Sequence, residues 1–213
     1  MSTTSKHLAS AFTIRPATDA DLPSILTIYK HYVLNTTIAF LIHEPHLSYI
    51  SERYEATKTR GLPYLVAVSE PKSTSTSDPD STTKETEVLG YAHASPFKPT
   101  MIGYAPSVEI TIFLAPAHTA MGVGSALMTR LLDDLRACKH VNWEAGHDEK
   151  VEEHAVRNVF AVMSQDVGRE GARGEEAVAW YQRFGFRLVG RMEKVGCKFG
   201  REIDVVYLQK RLE

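Results

Sequence analysis

The sequence predicts a single α/β domain built around a mixed sheet, and three observations support this. Stretches of strand-like composition alternate with stretches in which apolar side chains recur at helical spacing. Of the 213 residues, 43% are hydrophobic and 23% are charged, which allows one core of ordinary size. An apolar strand at 108–114 leads into a glycine loop and a helix, an order that favours an anion-binding site.

The first half of the chain contains three predicted strands and two predicted helices. Thr18 is followed three residues later by Asp21, a variant of the capping box that begins many helices. The Ser/Thr/Asp/Glu-rich segment 72–86 is too polar to pack, and we expect it to be an insertion within a hairpin. The strands are predicted at 12–15, 64–68 and 88–94, and the helices at 18–35 and 46–60, the second of them closed by Gly61.

The second half contains four predicted strands and two predicted helices. We expect the polar segments 139–154 and 165–174 to be loops, and residues 1–11 to be a loose tail. Histidine and acidic side chains at 147–154 raise the alternative of a metal site, but their charge density favours a solvated loop. The strands are predicted at 108–114, 156–163, 186–191 and 205–208, and the helices at 122–138 and 175–184, the second of them followed by Gly185.

Composition excludes several classes of function. The formal net charge of −2 provides no basic surface for nucleic acid. No apolar stretch reaches the length of a membrane span, so we expect no membrane partner. Two cysteines, Cys138 and Cys197, are too few for a disulfide framework and fit a reducing compartment, so the cytoplasm is the expected location.

The strand at 108–114 and the loop after it carry most of the functional information. Side chains alternate across a strand, which places Val108, Ile110, Ile112 and Leu114 on one face and Glu109, Thr111 and Phe113 on the other. The first face is wholly apolar and must be core, whereas the second carries a carboxylate. Gly122 and Gly124 allow close approach of a phosphate to the unpaired N–H groups of the following helix.

Several short motifs in a fixed order resemble the GNAT superfamily of acyl-CoA N-acyltransferases, over residues 12–208. Within it the chain is most similar to the phosphinothricin and methionine sulfoximine N-acetyltransferases. The resemblance implies a mostly antiparallel mixed sheet flanked by helices, acetyl-CoA as co-substrate and a possible homodimer. The matching segments are Ile14-Arg15-Pro16-Ala17-Thr18, Asn35-Thr36-Thr37, Gly90-Tyr91-Ala92, Pro96-Phe97-Lys98, Val108-Glu109, Gly122-Val123-Gly124, and Val195-Gly196 through Lys198-Phe199-Gly200-Arg201 to Asp204.

The resemblance also implies roles for individual residues. Glu109 occupies the position of the general base, and Tyr181 occupies a position near the sulfur where relatives have His or Tyr. The acceptor pocket is expected to contain Lys98, Tyr104, Glu109 and Thr111. The expected cofactor-binding residues are Ile112, Phe113, Leu114, Thr119, Ala120, Met121, Gly122, Val123, Gly124, Ser125 and Gly174.

Three departures from the family pattern affect these expectations. Thr119 and Met121 stand where relatives have basic or amide side chains before the first glycine, so phosphate binding must rest on backbone amides. Gly174 replaces an asparagine that contacts the cofactor in relatives. The segment Lys98-Pro99-Thr100 replaces an Arg-x-Arg that grips an acidic substrate. We therefore expect weaker cofactor binding and no preference for a doubly anionic acceptor.

The sequence as a whole predicts direct transfer of an acetyl group from acetyl-CoA to the primary amine of a small, amino-acid-like molecule. Glu109 would accept the amine proton, and Tyr181 would supply a proton to the leaving thiolate. Each residue also has a simpler interpretation, since Glu109 could be a surface carboxylate, Tyr181 a packing residue and Lys98 a solvated turn residue. Acetylation of protein N-termini or lysines, and non-catalytic sensing of CoA, remain as alternative functions.

Overall fold

A computed structural model describes residues 12–70, 86–166 and 173–213. The predicted tail at 1–11 and nearly all of the polar insertion at 72–86 lie outside the described residues, as does the segment 167–172. The hairpin that flanks the insertion is present, because the strands on either side of it pair antiparallel. No helix in the described part of the chain is long and apolar enough to cross a membrane.

A seven-stranded mixed sheet forms the centre of the fold, with strand order β1-β2-β3-β4-β7-β9-β8. All neighbouring strands are antiparallel except β4 and β7, which run parallel. The predicted mixed, mostly antiparallel sheet is therefore confirmed. The strands are β1 Phe12–Pro16, β2 Tyr64–Ser69, β3 Val88–Pro96, β4 Ser107–Leu114, β5 Lys139–Glu144, β6 His147–Ala155, β7 Asn158–Asp166, β8 Arg187–Lys198 and β9 Arg201–Arg211.

In the described part of the chain, four helices flank the sheet, close to where the sequence predicts them. They are α1 Leu22–Asn35, α2 Leu47–Thr59, α3 Val123–Ala137 and α4 Arg173–Gln182. A short 3₁₀ turn at Asp19–Asp21 precedes α1. The Asp21 carboxylate accepts hydrogen bonds from the backbone N–H of Thr18 at 2.8 Å and from Arg15 at 2.7 and 2.8 Å, which explains the strong start signal.

The two faces of the sheet are covered by different helices. On one face, α3 packs its leucines against Val108 and Ile110 of β4 in the larger core cluster. On the other face, α1 and α2 pack against a second cluster that Phe113 of β4 joins. The alternation of β4 is thus confirmed: Val108 and Ile110 are buried on the α3 side, and Phe113 faces the α1–α2 side.

The prediction that residues 139–154 form a solvated loop is wrong. They form an antiparallel hairpin of β5 and β6, separate from the main sheet. The hairpin is held by buried hydrogen bonds, because His140 Nε2 lies 2.8 Å from the carbonyl of Ala105 and Asn142 lies 3.1 Å from His140 Nδ1. Arg60, the residue that follows α2, donates a hydrogen bond to Asn142 Oδ1 at 3.2 Å. A hairpin stabilised by polar contacts lacks the apolar alternation by which strands are recognised.

The last two strands are longer than predicted. Strand β8 continues to Lys198, and β9 spans Arg201–Arg211 around the turn at Phe199 and Gly200. The side chains at 187–195 are all exposed because β8 is the outermost strand, so it carries no burial pattern. The pairing of β8 with β9 also contains two register shifts, which interrupt the alternation further.

Candidate active site

A cleft opens where the two parallel strands of the sheet separate. Pairing of β4 with β7 is limited to Ser107–Ile110 against Asn158–Ala161, although β4 continues to Leu114 and β7 to Asp166. Beyond Ile110 the β7-facing backbone groups of β4 therefore have no strand partner. The resulting cavity has a volume of about 1970 Å³ and contacts both faces of the sheet.

The N-terminus of α3 forms one wall of this cleft. Gly122 immediately precedes the helix with a left-handed φ of +84°, and Ala120 has a φ of +63°. Gly124 in the first turn lines the cleft, and a Cβ there would lie 3.3 Å from Leu114 Cδ1 and 3.7 Å from Trp180 Cζ2. The first-turn N–H groups of a helix have no intrahelical acceptor. This wall can therefore hold an anionic phosphate on backbone donors, as its glycines predict.

Most of the predicted cofactor-binding residues line the cleft. Thr119, Met121 and Val123 are absent from the lining: the Thr119 hydroxyl donates to the Pro116 carbonyl at 3.2 Å, Met121 is 37% exposed, and the Val123 side chain is in the core. Any contact from these three residues must therefore use the backbone. The residues that line the cleft are Ile112, Phe113, Leu114, Ala120, Gly122, Gly124, Ser125 and Gly174.

Gly174 lies against a side chain that the sequence patterns did not indicate. A Cβ at Gly174 would lie 3.2 Å from both Cγ and Nε2 of Gln165, the penultimate residue of β7. Both residues line the cleft. The absence of a side chain at 174 thus leaves room for the amide of Gln165, which can donate and accept hydrogen bonds there.

Glu109 lines the cleft from the opposite face of β4. Its carboxylate is partly buried and makes no hydrogen bond with the described residues. Burial raises the pKa of Glu109, while the positive charges of Arg53 and Lys98 act in the opposite direction. A carboxylate with a raised pKa is a better proton acceptor near neutral pH than an ordinary surface glutamate.

The predicted acceptor residues separate into two groups. Glu109 and Thr111 line the cleft, whereas Lys98 and Tyr104 lie outside its lining. Tyr104 is 48% exposed and packs edge-on against Phe97 with ring centroids 5.8 Å apart. Lys98 Nζ lies 5.5 Å from the centre of the Phe97 ring. Lys98 and Tyr104 lie in the segment between β3 and β4, and the charge of Lys98 still acts on Glu109. Their role in acceptor binding therefore stays a prediction.

Tyr181 enters the cleft from α4. Its ring packs edge-on against Trp180 and Phe186, at centroid distances of 4.9 and 5.4 Å. Burial raises the pKa of Tyr181 to about 12, so the phenol is protonated at neutral pH. The structure therefore combines the packing role and the cleft-lining position that the sequence left as alternatives.

Comparison with known proteins identifies the family. The family model described as acetyltransferase (GNAT) matches residues 41–161. A phosphinothricin N-acetyltransferase of Streptomyces coelicolor is 30% identical over 199 residues, which cover 93% of this chain and 95% of that protein. The chain belongs to the GNAT family of acetyltransferases. As a member of this family it is an acetyl-CoA-dependent N-acetyltransferase, in agreement with the cleft described above.

Two further relatives extend the comparison of this GNAT domain. An L-methionine sulfoximine/L-methionine sulfone acetyltransferase of Salmonella typhimurium is 29% identical over 202 residues, covering 94% of this chain and 95% of that protein. The crystal structure of a GNAT phosphinothricin acetyltransferase from Sinorhizobium meliloti with acetyl-CoA superimposes with a TM-score of 0.71. That structure is 28% identical and covers 94% of this chain and 88% of its own.

One side of the cleft, nearer α1 and α2, is lined by aromatic residues that the sequence patterns did not indicate. We call it the acceptor side, after the role that the sequence predicts for Glu109 and Thr111. We call the set of aromatic residues the aromatic wall; it consists of Tyr29, Tyr49, Tyr64, Tyr91 and Phe113. These residues come from α1, α2, β2, β3 and β4, so no local pattern relates them. Tyr29 stacks on Tyr49 at 5.5 Å and meets Phe113 edge-on at 5.5 Å, which makes the wall continuous.

His93 is a buried histidine at the edge of the aromatic wall. It lies opposite Thr111 in the β3–β4 pairing and stacks on Tyr64 at 4.6 Å. Its Nδ1 atom is buried and has no hydrogen-bond partner among the described residues. Burial, with a smaller contribution from the charge of Arg53, lowers the pKa of His93 to about 4, so the ring is neutral at physiological pH.

The α1–α2 loop, residues 36–46, borders the acceptor side and is fastened to β8. Lys198 Nζ donates to the carbonyl of Val33 at 2.6 Å and to that of Ala39 at 2.5 Å. Phe40 packs over Gly196, where a Cβ would lie 2.3 Å from Phe40 Cε1. The Lys198 and Gly196 of the family motif therefore act on the site through this loop.

Proposed function

We propose that this chain transfers the acetyl group of acetyl-CoA directly to the primary amine of a small, amino-acid-like acceptor. The observation that carries the proposal is the cleft between β4 and β7, with a helix N-terminus suited to anions on one side and the partly buried Glu109 on the other. The relatives named for phosphinothricin and for methionine sulfoximine and sulfone support an acceptor of this size.

The cofactor side of the cleft is assigned to acetyl-CoA, which supplies a reactive acetyl thioester when bound. We assign Ile112, Phe113 and Leu114 of β4 to the pantetheine arm. The backbone groups of Ile112 lie on the free edge of the strand, whereas Phe113 pairs with Tyr91 of β3 and the Leu114 carbonyl accepts a hydrogen bond from the Tyr32 hydroxyl at 2.8 Å. The first turn of α3, around Gly122 and Gly124, presents backbone N–H groups suited to phosphate. Thr119 and Met121 supply no cation, so binding by this loop rests on backbone dipoles, and Arg183 is a cation that lines the cleft beyond the end of α4.

Glu109 is proposed as the base that removes a proton from the acceptor amine. It faces the acceptor side of the cleft, has no competing hydrogen bond within the described chain, and has a raised pKa because of burial. A well-placed general base contributes roughly 10²–10⁴ in rate. Thr111, two residues along the same face, lies next to it in the acceptor pocket.

Tyr181 is proposed to act at the sulfur end of the cleft. With a pKa of about 12 the phenol stays protonated and donates a hydrogen bond to developing negative charge. An ordinary thiol has a pKa near ~8.5, so complete transfer of the phenolic proton to a thiolate is unfavourable. Tyr181 therefore stabilises charge through a hydrogen bond, which refines its predicted role as a proton donor.

Release of free thiol from acetyl-CoA tests the proposal. The amines to compare are L-methionine sulfone, L-methionine sulfoximine, L-phosphinothricin and a short peptide with a free N-terminus and a lysine. Thiol release with the amino-acid analogues and not with the peptide supports the proposal. Release with the peptide alone indicates a protein acetyltransferase, and binding of acetyl-CoA without release from any amine indicates a CoA sensor.

A homodimer and a cytoplasmic location complete the proposal. Leu188, Val189 and Met192 are 50%, 47% and 40% exposed on β8, the edge strand of the sheet, and a second copy of the chain would cover them. Light scattering after gel filtration tests this. The two cysteines are free thiols, which supports a reducing compartment, and cell fractionation tests the location.

A further inference from the structure

Arg53 of α2 provides a positive charge on the acceptor side of the cleft. Its guanidinium carbon lies 4.2 Å from the centre of the Tyr49 ring, and the residue lines the cavity. Tyr49 in turn stacks on Tyr29, which holds the guanidinium against the aromatic wall. The charge therefore has a defined position above an aromatic ring.

The positive charge of Arg53 acts on Glu109, the proposed base. Arg53 is the first of the two cations that lower the pKa of Glu109 against the effect of burial, ahead of Lys98. The same charge adds to the effect of burial in lowering the pKa of His93, and it opposes the burial that raises the pKa of Tyr64. Arg53 and Glu109 line the same cavity, and they form no salt bridge with each other.

Two of the other arginines that line the cavity are already paired with carboxylates. Arg191 is paired with Asp204, where Nε donates to Oδ2 at 2.6 Å. Arg201 is paired with Asp166 at 2.8 Å.

In contrast, no carboxylate of the described residues forms a salt bridge with Arg53, and no hydrogen bond of its guanidinium is observed there. Arg183 also lines the cavity, but it follows the end of α4, whereas Arg53 lies on α2 and its charge acts on Glu109. Arg53 is thus the arginine on the α1–α2 side that can receive a carboxylate from outside the chain.

We infer that Arg53 binds the carboxylate of the acceptor, and that the acceptor is an α-amino acid with one carboxylate and an uncharged side chain. A zwitterionic amino acid carries an ammonium and a carboxylate a short distance apart, and Glu109 and Arg53 present the complementary charges across the cleft. The aromatic wall beside them offers apolar surface for the side chain. This inference rests on the proposed function and names the acceptor class for the same site.

The structure explains how the missing acidic-substrate motif is replaced. In relatives, the Arg-x-Arg motif in the turn after β3 is expected to bind the acidic substrate. In this chain Lys98 stands in that turn and is not among the residues that line the cavity. Arg53 approaches from α2 instead and supplies a single bidentate donor. One carboxylate can therefore be paired at this position, whereas a second anionic group would face the aromatic wall without a partner.

Acetylation of L-methionine sulfone and of its carboxamide by wild type, Arg53→Met and Arg53→Lys tests the inference. The carboxamide keeps the amine and the side chain but lacks the negative charge. We expect wild type to prefer the acid by about tenfold or more in kcat/KM, because a charge-assisted pair is lost with the amide. In Arg53→Met this preference should fall to about 1 through a rise in KM for the acid, and Arg53→Lys should retain part of it.

The outcomes separate this inference from the proposed function. If Arg53→Met lowers kcat/KM equally for the acid and the carboxamide, Arg53 has a structural role and the assignment is overturned. The assignment is also overturned if wild type does not prefer the acid. Neither result contradicts the proposed acetyl transfer. Higher kcat/KM of wild type for L-phosphinothricin than for L-methionine sulfone would overturn the single-carboxylate class. Absence of thiol release with every amine and carboxamide would overturn the proposed function, and the inference with it.

Discussion

Glu109 shows how burial prepares a single side chain for chemistry. It projects from β4 toward the α1–α2 face, beside Phe113 of the second core cluster, and lines the cleft where β4 leaves β7. Low-polarity surroundings disfavour its charged form and raise its pKa, while Arg53 and Lys98 keep the shift moderate. The same carboxylate on the apolar face of β4 would be a costly buried charge.

Substitution of Glu109 tests its role as base. Glu109→Gln keeps the side-chain shape but accepts no proton, so we expect kcat to fall at least tenfold at pH 7, within the range of general-base catalysis. The affinity for acetyl-CoA, measured by calorimetry, should be unchanged. Glu153→Gln, at an exposed position on β6, is the matched control and should behave as wild type. Unchanged turnover in Glu109→Gln would contradict the assignment.

The dependence of the wild-type kcat/KM on pH also tests the role of Glu109 as base. Because burial raises the pKa of Glu109, kcat/KM should fall on acidification at a pH above the value of ~4.3 for an ordinary glutamate. The acid limb should disappear from the residual activity of Glu109→Gln. An acid limb that persists unchanged in this variant would assign the titration to another group.

Tyr181 is expected to affect the chemical step and not recognition of the acceptor. Tyr181→Phe keeps the ring contacts with Trp180 and Phe186 but removes the hydroxyl. We expect a lower kcat with little change in KM for the amine, because the hydrogen bond forms as charge develops. Steady-state kinetics measure both quantities. A rise in KM at unchanged kcat would instead indicate a binding or packing role.

At the scale of elements, the acceptor side depends on how a loop is attached to a distant hairpin. Lys198 is 3% exposed, and its ammonium joins the carbonyls of Val33 and Ala39 to the end of β8. Burial lowers the pKa of Lys198, whereas the two short hydrogen bonds to carbonyls stabilise its charged form. Phe40 over Gly196 adds a packed contact beside it.

Removal of this attachment should loosen the acceptor pocket. Lys198→Met leaves two carbonyls without their donor, and we expect a loss of about 1–3 kcal/mol in the free energy of unfolding. The KM for the amine should rise more than the KM for acetyl-CoA, since the α1–α2 loop borders the acceptor side. Urea unfolding and kinetics measure the two effects. Lys139→Met, at an exposed lysine, is the control, and equal rises of both KM values would contradict the local role.

At the scale of the whole molecule, two buried neutral histidines make the fold sensitive to acid. Burial lowers the pKa of His93 to about 4, and it also lowers the pKa of His140 within the hairpin network. In the unfolded chain both rings would bind a proton near ~6.5. The unfolded state therefore binds more protons below that pH, so stability is full above ~6.5 and falls as the pH approaches 4.

This linkage predicts a measurable loss of stability. For His93 alone the shift from 6.5 to about 4 corresponds to roughly 3 kcal/mol of unfolding free energy between pH 7 and pH 4. His93→Phe retains a flat ring for stacking on Tyr64 and removes the proton-binding site. Urea unfolding at pH 7 and pH 4.5 should show a smaller pH effect in this variant. Identical pH dependence in the two proteins would exclude His93 as its source.

Prediction from sequence was most successful where the signal is local. The helices α1 and α2, the strand β4 and the loop before α3 follow from caps, periodicity and glycine positions within a few residues of each other. The β5–β6 hairpin was missed because its stability depends on His140 and Asn142, whose partners Ala105 and Arg60 are distant in the chain. Strand β8 was predicted too short because an exposed edge strand carries no burial pattern.

The sequence alone determined which face of β4 carries Glu109 and which helix N-terminus can bind a phosphate. Both follow from local properties, namely the alternation of side chains along a strand and the position where a helix begins. Only the tertiary structure decided which side chains share the cleft. It brought Arg53 of α2 and His93 of β3 to the acceptor side and left Lys98 and Tyr104 out of the cleft lining. Those positions depend on the pairing and packing of elements far apart in the chain, and such long-range contacts leave no periodic signal in the sequence.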